Sequence, residues 1–427
     1  MRILHTSDWH LGRTFHGRVL DEAQAAFADH LVELVEAESV DAVVVSGDVY
    51  DRAIPRTASV SLLDDTLARL SDRTRVVLTS GNHDSAQRLA FGSGLLREGL
   101  SIRARTAQVD RPVLIPNADG GPGLYVYALP YLDPDGARET LPPLLAQRIG
   151  EGGAPEPLAR SHEAVVSGAL RLVAHDLAGR RSGGDVRVPA IVMAHAFVVG
   201  GRASEDSERD IRVGGVDSVP GEVFTTLGGS AEAEPSGGLD YVALGHLHRP
   251  QEIHQGGSGE AGGQGATSGS GPRLVYSGSP LPFSFSEADS QKSSVLLEIG
   301  PEGLTSLERV PTPVPYRATT LRGTLDQLLG RLGDGHERDW VRVELTGPMP
   351  PETMAPLKER FPDMLAFSWS RPAVERERGA ARVTRASDPV EITERFLTRM
   401  LGRDPDDAER AVITEAYDAV RTDQEAS

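Results

Sequence analysis

Along the first two thirds of the chain, short apolar runs alternate with longer stretches in which apolar positions recur every three or four residues. Ile3 and Leu4 open the first run; Val40 to Val45, Arg75 to Thr79, Gly123 to Leu129, Ala190 to Ala194, Leu239 to Leu244 and Arg273 to Tyr276 repeat it. Continuous apolar runs of this length fit strands buried on both faces. Asp21 to Ala37 carries Phe27, Leu31, Leu34 and Val35 at helical spacing, and Ala58 to Leu70 and Ser161 to Leu177 read as further helices. Strands alternating with helices predict βαβ units and a largely parallel, covered sheet. Two more β-like runs, Ser294 to Ile299 and Leu304 to Val310, complete a layered α/β domain over residues 1–310, arranged as two facing sheets.

Two stretches interrupt this pattern. Gly150 to Pro157 is rich in Gly, Pro and Glu, and Gln255 to Gly271 is a low-complexity Gly/Ser segment expected to form a flexible loop. Pro311-Thr-Pro-Val-Pro315 marks a domain boundary, because proline-rich sequence resists both helix and sheet. Beyond it, strand-like Tyr316 to Arg322, Trp340 to Leu345 and Leu365 to Trp369 enclose helix-like Leu325 to Leu332 and Glu352 to Phe361, a small α+β domain over 316–372. Residues 373–427 read as a polar, arginine-rich linker (Glu375 to Ala386) and a C-terminal helical pair. Asp388 as N-cap, Pro389 at N1 and Glu391 at N3 make a good helix start. Ile392, Phe396 and Met400, then Val412, Ile413, Tyr417 and Val420, mark apolar stripes whose spacing by itself suits packing on the chain's own domain.

Composition narrows the chemistry. With 427 residues, 39% of them hydrophobic, the chain has room for two or three domains with real cores, which excludes a disordered protein. It has no cysteine, so any metal must be held by His, Asp, Glu, Asn or backbone oxygen, donors that suit Mn, Fe, Zn or Mg. The net charge of -18 argues against a polyanionic partner, although divalent cations at a cleft reverse the local field. No apolar run approaches the roughly 20 residues that span a bilayer. No charged segment followed by an apolar one opens the chain, so the reading is a cytosolic protein with no membrane partner.

Five of the predicted strands end in residues of the metal-binding type. The first leads into Asp8-Trp-His10, a carboxylate and an imidazole two residues apart that point the same way on an extended segment. The second leads into Gly47-Asp48-Val-Tyr-Asp51, where glycine permits a sharp turn and a carboxylate can bridge two cations. Gly81-Asn82-His83-Asp84 follows the third: an amide oxygen, an imidazole able to act as acid or phosphate donor, and a carboxylate able to orient that imidazole. The others end in His195 and in Gly245-His246-Leu-His248. Each piece alone is commonplace. Together they stand where ligands bind parallel sheets, at the carboxyl ends of the strands. Three oxygen donors (Asp8, Asp48, Asn82) and four imidazoles (His10, His195, His246, His248) suffice for a two-metal hydrolytic site. Phosphate esters are its favoured substrates, because their transition state gains most from clustered positive charge.

These motifs resemble the calcineurin-like metallophosphoesterases. More narrowly, His5-Thr-Ser-Asp-Trp-His-Leu-Gly12, Ala243-Leu-Gly-His-Leu-His-Arg249 and Tyr276-Ser-Gly-Ser-Pro280 are similar to the family of D subunits of bacterial SbcCD nucleases. The resemblance covers nearly the full chain and implies that the small domain is a capping domain. It implies that Asp8, His10, Asp48 and His248 surround one metal, with Asp48 bridging to a second held by Asn82, His195 and His246. His83 then protonates or stabilises the leaving group, supported by Asp84. Two Mn2+ ions are the implied cofactors. The implied partners are DNA and the SMC-like ATPase SbcC, with two copies of this chain forming a homodimer inside a heterotetramer on the nucleoid. The implied activity is ATP-dependent double-strand exonuclease and single-strand or hairpin endonuclease action in DNA repair, recombination and replication. The C-terminal helices would clasp the ATPase instead of packing on their own domain. Related archaeal nucleases carry histidine where this chain has Asp51, so no second catalytic histidine is assigned.

Arg13, His16 and Arg88 lie beside ligand motifs and are the candidates for DNA phosphates. The competing reading is a phosphoprotein phosphatase or small-molecule phosphodiesterase, whose motif Gly47 to Arg52 also resembles. Those phosphatases carry Gly-Asn-His-Glu where this chain has Asp84, and they lack the His246 and His248 pair. A non-catalytic clamp for an ATPase is a third reading, opposed by the complete ligand set.

Overall fold

In the computed structural model, residues 97, 151–155, 184–186, 205–207, 209–217, 232–236, 255–270, 371–388, 402 and 426–427 lie outside the described residues. The Gly-rich loop, the arginine-rich linker and the Asp388 cap fall there, as do the side chains of Met400 and Val420.

The chain runs from β1 (Arg2–Thr6) through a small hairpin of β2 (Thr14–Phe15) and β3 (Arg18–Val19) into helix α1 (Asp21–Ala37). Then come β4 (Ala42–Ser46), α2 (Thr57–Ser71), β5 (Arg75–Thr79), the short α3 (Ala86–Leu89) and β6 (Leu100–Ile102). A second series follows: β7 (Val113–Pro116), β8 (Pro122–Leu129), α4 (Pro134–Ile149), α5 (His162–Arg181), β9 (Ala190–His195), β10 (Tyr241–Gly245), β11 (Gln251–Ile253) and β12 (Arg273–Tyr276). The chain then returns to the first sheet with β13 (Ser293–Gly300) and β14 (Gly303–Pro311).

Two six-stranded sheets result, ordered β14-β13-β1-β4-β5-β6 and β11-β12-β10-β9-β8-β7. In the first, β1, β4, β5 and β6 are parallel; in the second, β8, β9, β10 and β12 are. Alternate residues of these strands serve different cores, as a period of two demands. Ile3, Val44 and Val77 meet Val126, Ile191 and Ala243 between the sheets. Leu4, Val43, Val45 and Val76 face outward onto Phe27 and Leu31 of α1 and Leu63 and Leu67 of α2. The outer face of the second sheet (Tyr127, Val192, Val242) is covered by Leu141 of α4 and Val165, Leu170 and Val173 of α5. This is the layered architecture expected from the apolar pattern. Buried polar contacts also link the two sheets: His5 Nδ1 of β1 lies 2.9 Å from the hydroxyl of Tyr241 on β10, both residues fully buried, and the Ser46 hydroxyl of β4 donates to the Ala243 carbonyl of β10 at 3.0 Å.

Helix α4 has no counterpart in the periodicity reading. Asp133 caps it and Pro134 starts it, but Pro142 and Pro143 sit inside it, where proline ordinarily breaks a helix. The carbonyl of Arg138, which Pro142 cannot bond, accepts the backbone N–H of Leu158 instead. A tertiary contact therefore repairs what the sequence removes.

The chain separates into two compact units. One holds Met1–Thr320, His336–Arg342 and Asp363–Ala366; the other holds Leu321–Gly335, Val343–Pro362 and Phe367–Ser427. A three-stranded sheet of β15 (Ala318–Gly323), β16 (Trp340–Thr346) and β17 (Met364–Ser370) has the order β15-β16-β17. In the second unit Leu328, Val343, Leu345, Leu357 and Phe361 are buried, and a capping box between Thr324 and Gln327 starts the helix Leu325–Leu329. That helix is shorter than the apolar spacing predicted, because Gly330 ends it before a 3-10 turn at Arg331–Gly333. The final helices, Pro389–Leu401 and Asp407–Glu425, leave Phe396 and Val412 exposed while Ile413 is buried, so the stripes are only partly used inside the chain. No helix among the described residues is long and apolar enough to cross a membrane.

Candidate metal centre

The carboxyl ends of the parallel strands of both sheets meet at one edge, and the polar motifs converge there. Their backbone is unusual. Strand β1 stops at Thr6, and Asp8 and His10 both have left-handed conformations, with φ of 55° and 44°. The pair therefore does not converge through an extended segment, as the spacing suggested; two left-handed turns bring it together. Asp48 (φ 49°) and His246 (φ 107°) are strained in the same sense. Glycines make room for this. Gly47 turns at φ 85°, a Cβ on Gly81 would stand 2.1 Å from Asp48 Oδ1, and a Cβ on Gly245 would stand 1.9 Å from the Ser46 carbonyl oxygen.

Asp48 lies at the centre. Its Oδ2 is 3.5 Å from His10 Nε2 and 3.4 Å from His195 Nε2. On one side, His10 Nε2 and His248 Nε2 are 3.1 Å apart, and ligand atoms of Asp8, His10 and His248 lie within 4.8 Å of one another. On the other, Asn82 Oδ1 is 2.9 Å from His195 Nε2 and 3.3 Å from His246 Nδ1. Two further groups meet the same 4.8 Å limit: Asp8, Asp48 and His195, and His10, Asp48 and His83. The structure thus brings all seven expected donors to one place.

The donor set fits divalent cations. His195 donates its Nδ1–H to the Ser46 carbonyl at 2.9 Å, which leaves an Nε2 lone pair facing the oxygens of Asn82 and Asp48. Lone pairs aimed at one another repel unless a proton or a cation stands between them. Burial alone would lower the His195 imidazole, but the Asp48 carboxylate pushes it up to about 9, so without metal it takes the proton that a cation would replace. Burial raises Asp48 too, yet His195 and His10 outweigh it and hold that carboxyl well below the usual range. Burial raises Asp8 against the pull of His195 and His248. His10 and His246 are driven well below the ordinary imidazole range by burial, into the neutral form that binds metals.

His83 stands in the same cleft. Its backbone N–H donates to Asp48 Oδ1 at 2.8 Å, and its Nδ1 lies 2.8 Å from the Asp51 carbonyl oxygen, which leaves Nε2 to carry or give a proton. Asp84 does not orient this ring. Its oxygens accept the backbone N–H groups of Gly81 (2.9 Å), Val49 (3.1 Å) and Tyr50 (2.9 Å), tying the Asp48 loop to the Asn82 loop. Burial, then the neighbouring Asp48, pushes Asp84 up to about 7 against these donors.

Of the candidate phosphate contacts, Arg13 lines a cleft of about 440 Å³ with His83, Asp51 and Arg52. Its guanidinium sits 5.0 Å over the Phe283 ring and 3.5 Å from Asp51. His16 packs on Phe15 and Phe285, with ring centroids 5.3 and 4.9 Å away. Arg88 reaches the Ala53 carbonyl at 3.0 Å and borders a different, apolar groove. The sequence reading did not include Arg52 among the phosphate contacts, although its place in the Gly47 to Arg52 motif was the available signal. Glu287 and Lys292, which contact His248 at 3.5 and 2.8 Å, lie outside every motif and gave no signal.

Comparison with known proteins agrees with this geometry. Residues 1–250 match the family described as Calcineurin-like phosphoesterase. The chain belongs to that family. It is 35% identical over 347 residues to a Rhodobacter capsulatus protein named as the D subunit of nuclease SbcCD, covering 78% of this chain and 75% of the relative. Proteins of the same name from Bacillus subtilis and Escherichia coli are 33% and 28% identical, each match covering 81% of this chain and 79% and 78% of the relative. A phosphoesterase of this family uses divalent metals, and the Asp/His cluster is built to hold them.

Proposed function

We propose that this chain is the nuclease subunit of an SbcCD-type complex, a two-metal phosphodiesterase acting on DNA. The observation that carries the proposal is the length of the likeness to SbcCD D subunits: 347 aligned residues, against the 250 of the shared phosphoesterase domain. A phosphatase or small-molecule phosphodiesterase would need only the domain.

Asp8, His10, Asp48 and His248 hold one cation in this reading, and Asn82, His195 and His246 with Asp48 hold the other. Bound divalent ions, Mn2+ in our proposal, supply a water of lowered pKa and polarise the phosphoryl group. The chain's own residues do the rest. Asp48 is fixed by the His83 N–H, so its other oxygen faces both imidazole groups. His83, with Nδ1 held at the Asp51 carbonyl, delivers a proton from Nε2 to the leaving oxygen. Arg13 and Arg52 line the cleft beside it and grip the phosphate backbone.

The partner is an SbcC-type ATPase, docked on the exposed side chains of the final helices, including Phe396 and Val412. The chain pairs with a second copy through Ile54, Val60, Phe91 and Leu95, exposed apolar residues of which Val60 lines an apolar groove of about 390 Å³. Residues 316–372 are the capping domain of this reading, and the complex works in the cytoplasm on the nucleoid. The test is cleavage of linear duplex and hairpin DNA by the purified chain with Mn2+, with and without SbcC and ATP, beside His83→Ala. Expected is Mn2+-dependent cleavage that the ATPase stimulates and that His83→Ala reduces about 10²–10⁴-fold, with Mn2+ affinity unchanged. DNA left intact by the wild type with its partner, alongside hydrolysis of a phosphoprotein or cyclic nucleotide, overturns the nuclease reading.

A further inference from the structure

Behind His248 lies a buried ion pair that the catalytic scheme does not use. Glu287 and Lys292 are 0% and 2% exposed, in a segment beyond the residues matched by the phosphoesterase family, and their charged groups touch. Such a pair is a poor device for stability, because desolvating two charges offsets their attraction and an apolar pair of equal volume serves as well or better. Its geometry points elsewhere. Glu287 Oε1 is 3.5 Å from His248 Nδ1, while Lys292 Nζ donates to the main-chain carbonyl of the same His248 at 2.8 Å. Ser279 joins them: its N–H donates to the His248 carbonyl at 3.2 Å, and its hydroxyl accepts from Lys292 at 2.9 Å. Phe283 closes the arrangement with its ring edge-on to both His248 and His10, centroids 5.4 and 5.3 Å away.

We propose that Glu287 is a positioning residue of the metal centre: it holds the His248 imidazole with Nδ1 protonated and Nε2 turned toward the cation, and Lys292 clamps both Glu287 and the His248 backbone. The inference rests on the two-metal reading above. A ligand imidazole must present one bare nitrogen, and a carboxylate on the other nitrogen fixes both tautomer and ring angle. Without it the ring is free to flip or to place its proton on Nε2, and the site loses a donor.

The test is calorimetric titration of the full chain with Mn2+ alone, which does not depend on nuclease activity. Glu287→Leu/Lys292→Met replaces the pair by apolar side chains of similar size. This variant is expected to keep the wild-type melting temperature within a few degrees but to bind one of its two Mn2+ ions about 10–100-fold more weakly. Glu287→Gln/Lys292→Met restores an acceptor for Nδ1–H and is expected to recover most of that affinity. A folded Leu/Met variant with two sites of wild-type affinity overturns the proposal. Should that variant fail to fold, 15N spectra of histidine-labelled wild type decide: His248 as the Nδ1–H tautomer supports the assignment and the Nε2–H tautomer overturns it. A wild type that takes up no Mn2+ overturns the metal reading itself.

Discussion

The contact between His5 and Tyr241 makes a prediction that involves no metal. The two side chains bridge β1 and β10, the strands that deliver Asp8, His10, His246 and His248, across the apolar layer between the sheets. Burial drives the His5 imidazole from its ordinary 6.5 down to about 3. The unfolded chain therefore binds a proton below pH 6.5 that the folded chain refuses until about pH 3, and stability falls as pH drops through that window. Worked from those two values, the loss is negligible at pH 8 and about 2 kcal/mol at pH 5. His5→Leu removes the titration. It also leaves the Tyr241 hydroxyl without its partner, a cost of about 1–3 kcal/mol at every pH, which Tyr241→Phe in the same chain relieves. Urea denaturation of metal-free wild type and of His5→Leu/Tyr241→Phe at pH 8 and pH 5 measures the difference. The wild type should lose about 2 kcal/mol more than the double variant between the two conditions. Equal losses in both proteins would refute the reasoning, because they would mean that the fold accepts the His5 proton as readily as the unfolded chain does.

Three further outcomes follow from the site and the surface. Gly81→Ala puts a Cβ 2.1 Å from Asp48 Oδ1 and 2.4 Å from its backbone N; displacing that carboxylate by even 1 Å should cost about 100-fold in phosphodiesterase rate and weaken Mn2+ binding, read by calorimetry. Arg13→Ala removes a cation from the cleft at His83, so the slope of log affinity for DNA against log salt should fall by about 1, with the sequence preference unchanged. Phe91→Glu places a charge on a side chain that is 89% exposed; if the proposed pairing through this patch holds, sedimentation should show a wild-type dimer that the variant loses while the melting temperature stays unchanged, and a wild type that sediments as a single chain or a variant dimer of unchanged strength refutes that pairing.

The legible parts of the molecule were those in which local sequence decides. Asp21–Ala37 and Arg75–Thr79 have the bounds their apolar spacing gave, because each buries a face whose period is set by the element itself. The seven side chains that cluster at the strand exits were legible as candidates for a similar reason: a strand exit followed by Gly and a polar residue is a local signal. What failed was whatever depends on a distant partner. Helix α4 survives Pro142 only because Leu158 takes the Arg138 carbonyl, and no window of sequence contains that contact. Asp84 reads as a helper of its neighbour His83, yet its oxygens are used by Val49 and Tyr50, more than thirty residues away. Glu287 and Lys292 stand in a polar stretch with nothing local to mark them. Only the fold turns them inward to His248.

The strain at the centre shows how firmly the clustered side chains are held. Asp8, His10, Asp48 and His246 are four of the seven non-glycine residues with positive φ among those described, and such conformations cost about 1–3 kcal/mol each. They persist because the loops hold one another. The N–H groups of Asp8, His10 and Leu11 donate to the carbonyls of Gly47, Asp48 and Val49 at 3.0, 2.9 and 2.9 Å, and the His246 N–H donates to Asp8 Oδ1 at 3.0 Å. One sheet's exits are thereby laced to each other and then to the exit of the opposite sheet. A loop free to relax would shed the strain and scatter the clustered side chains. Laced in this way, Asp48 is held between His10 and His195, 3.5 and 3.4 Å from their Nε2 atoms, by backbone hydrogen bonds that need no bound ion.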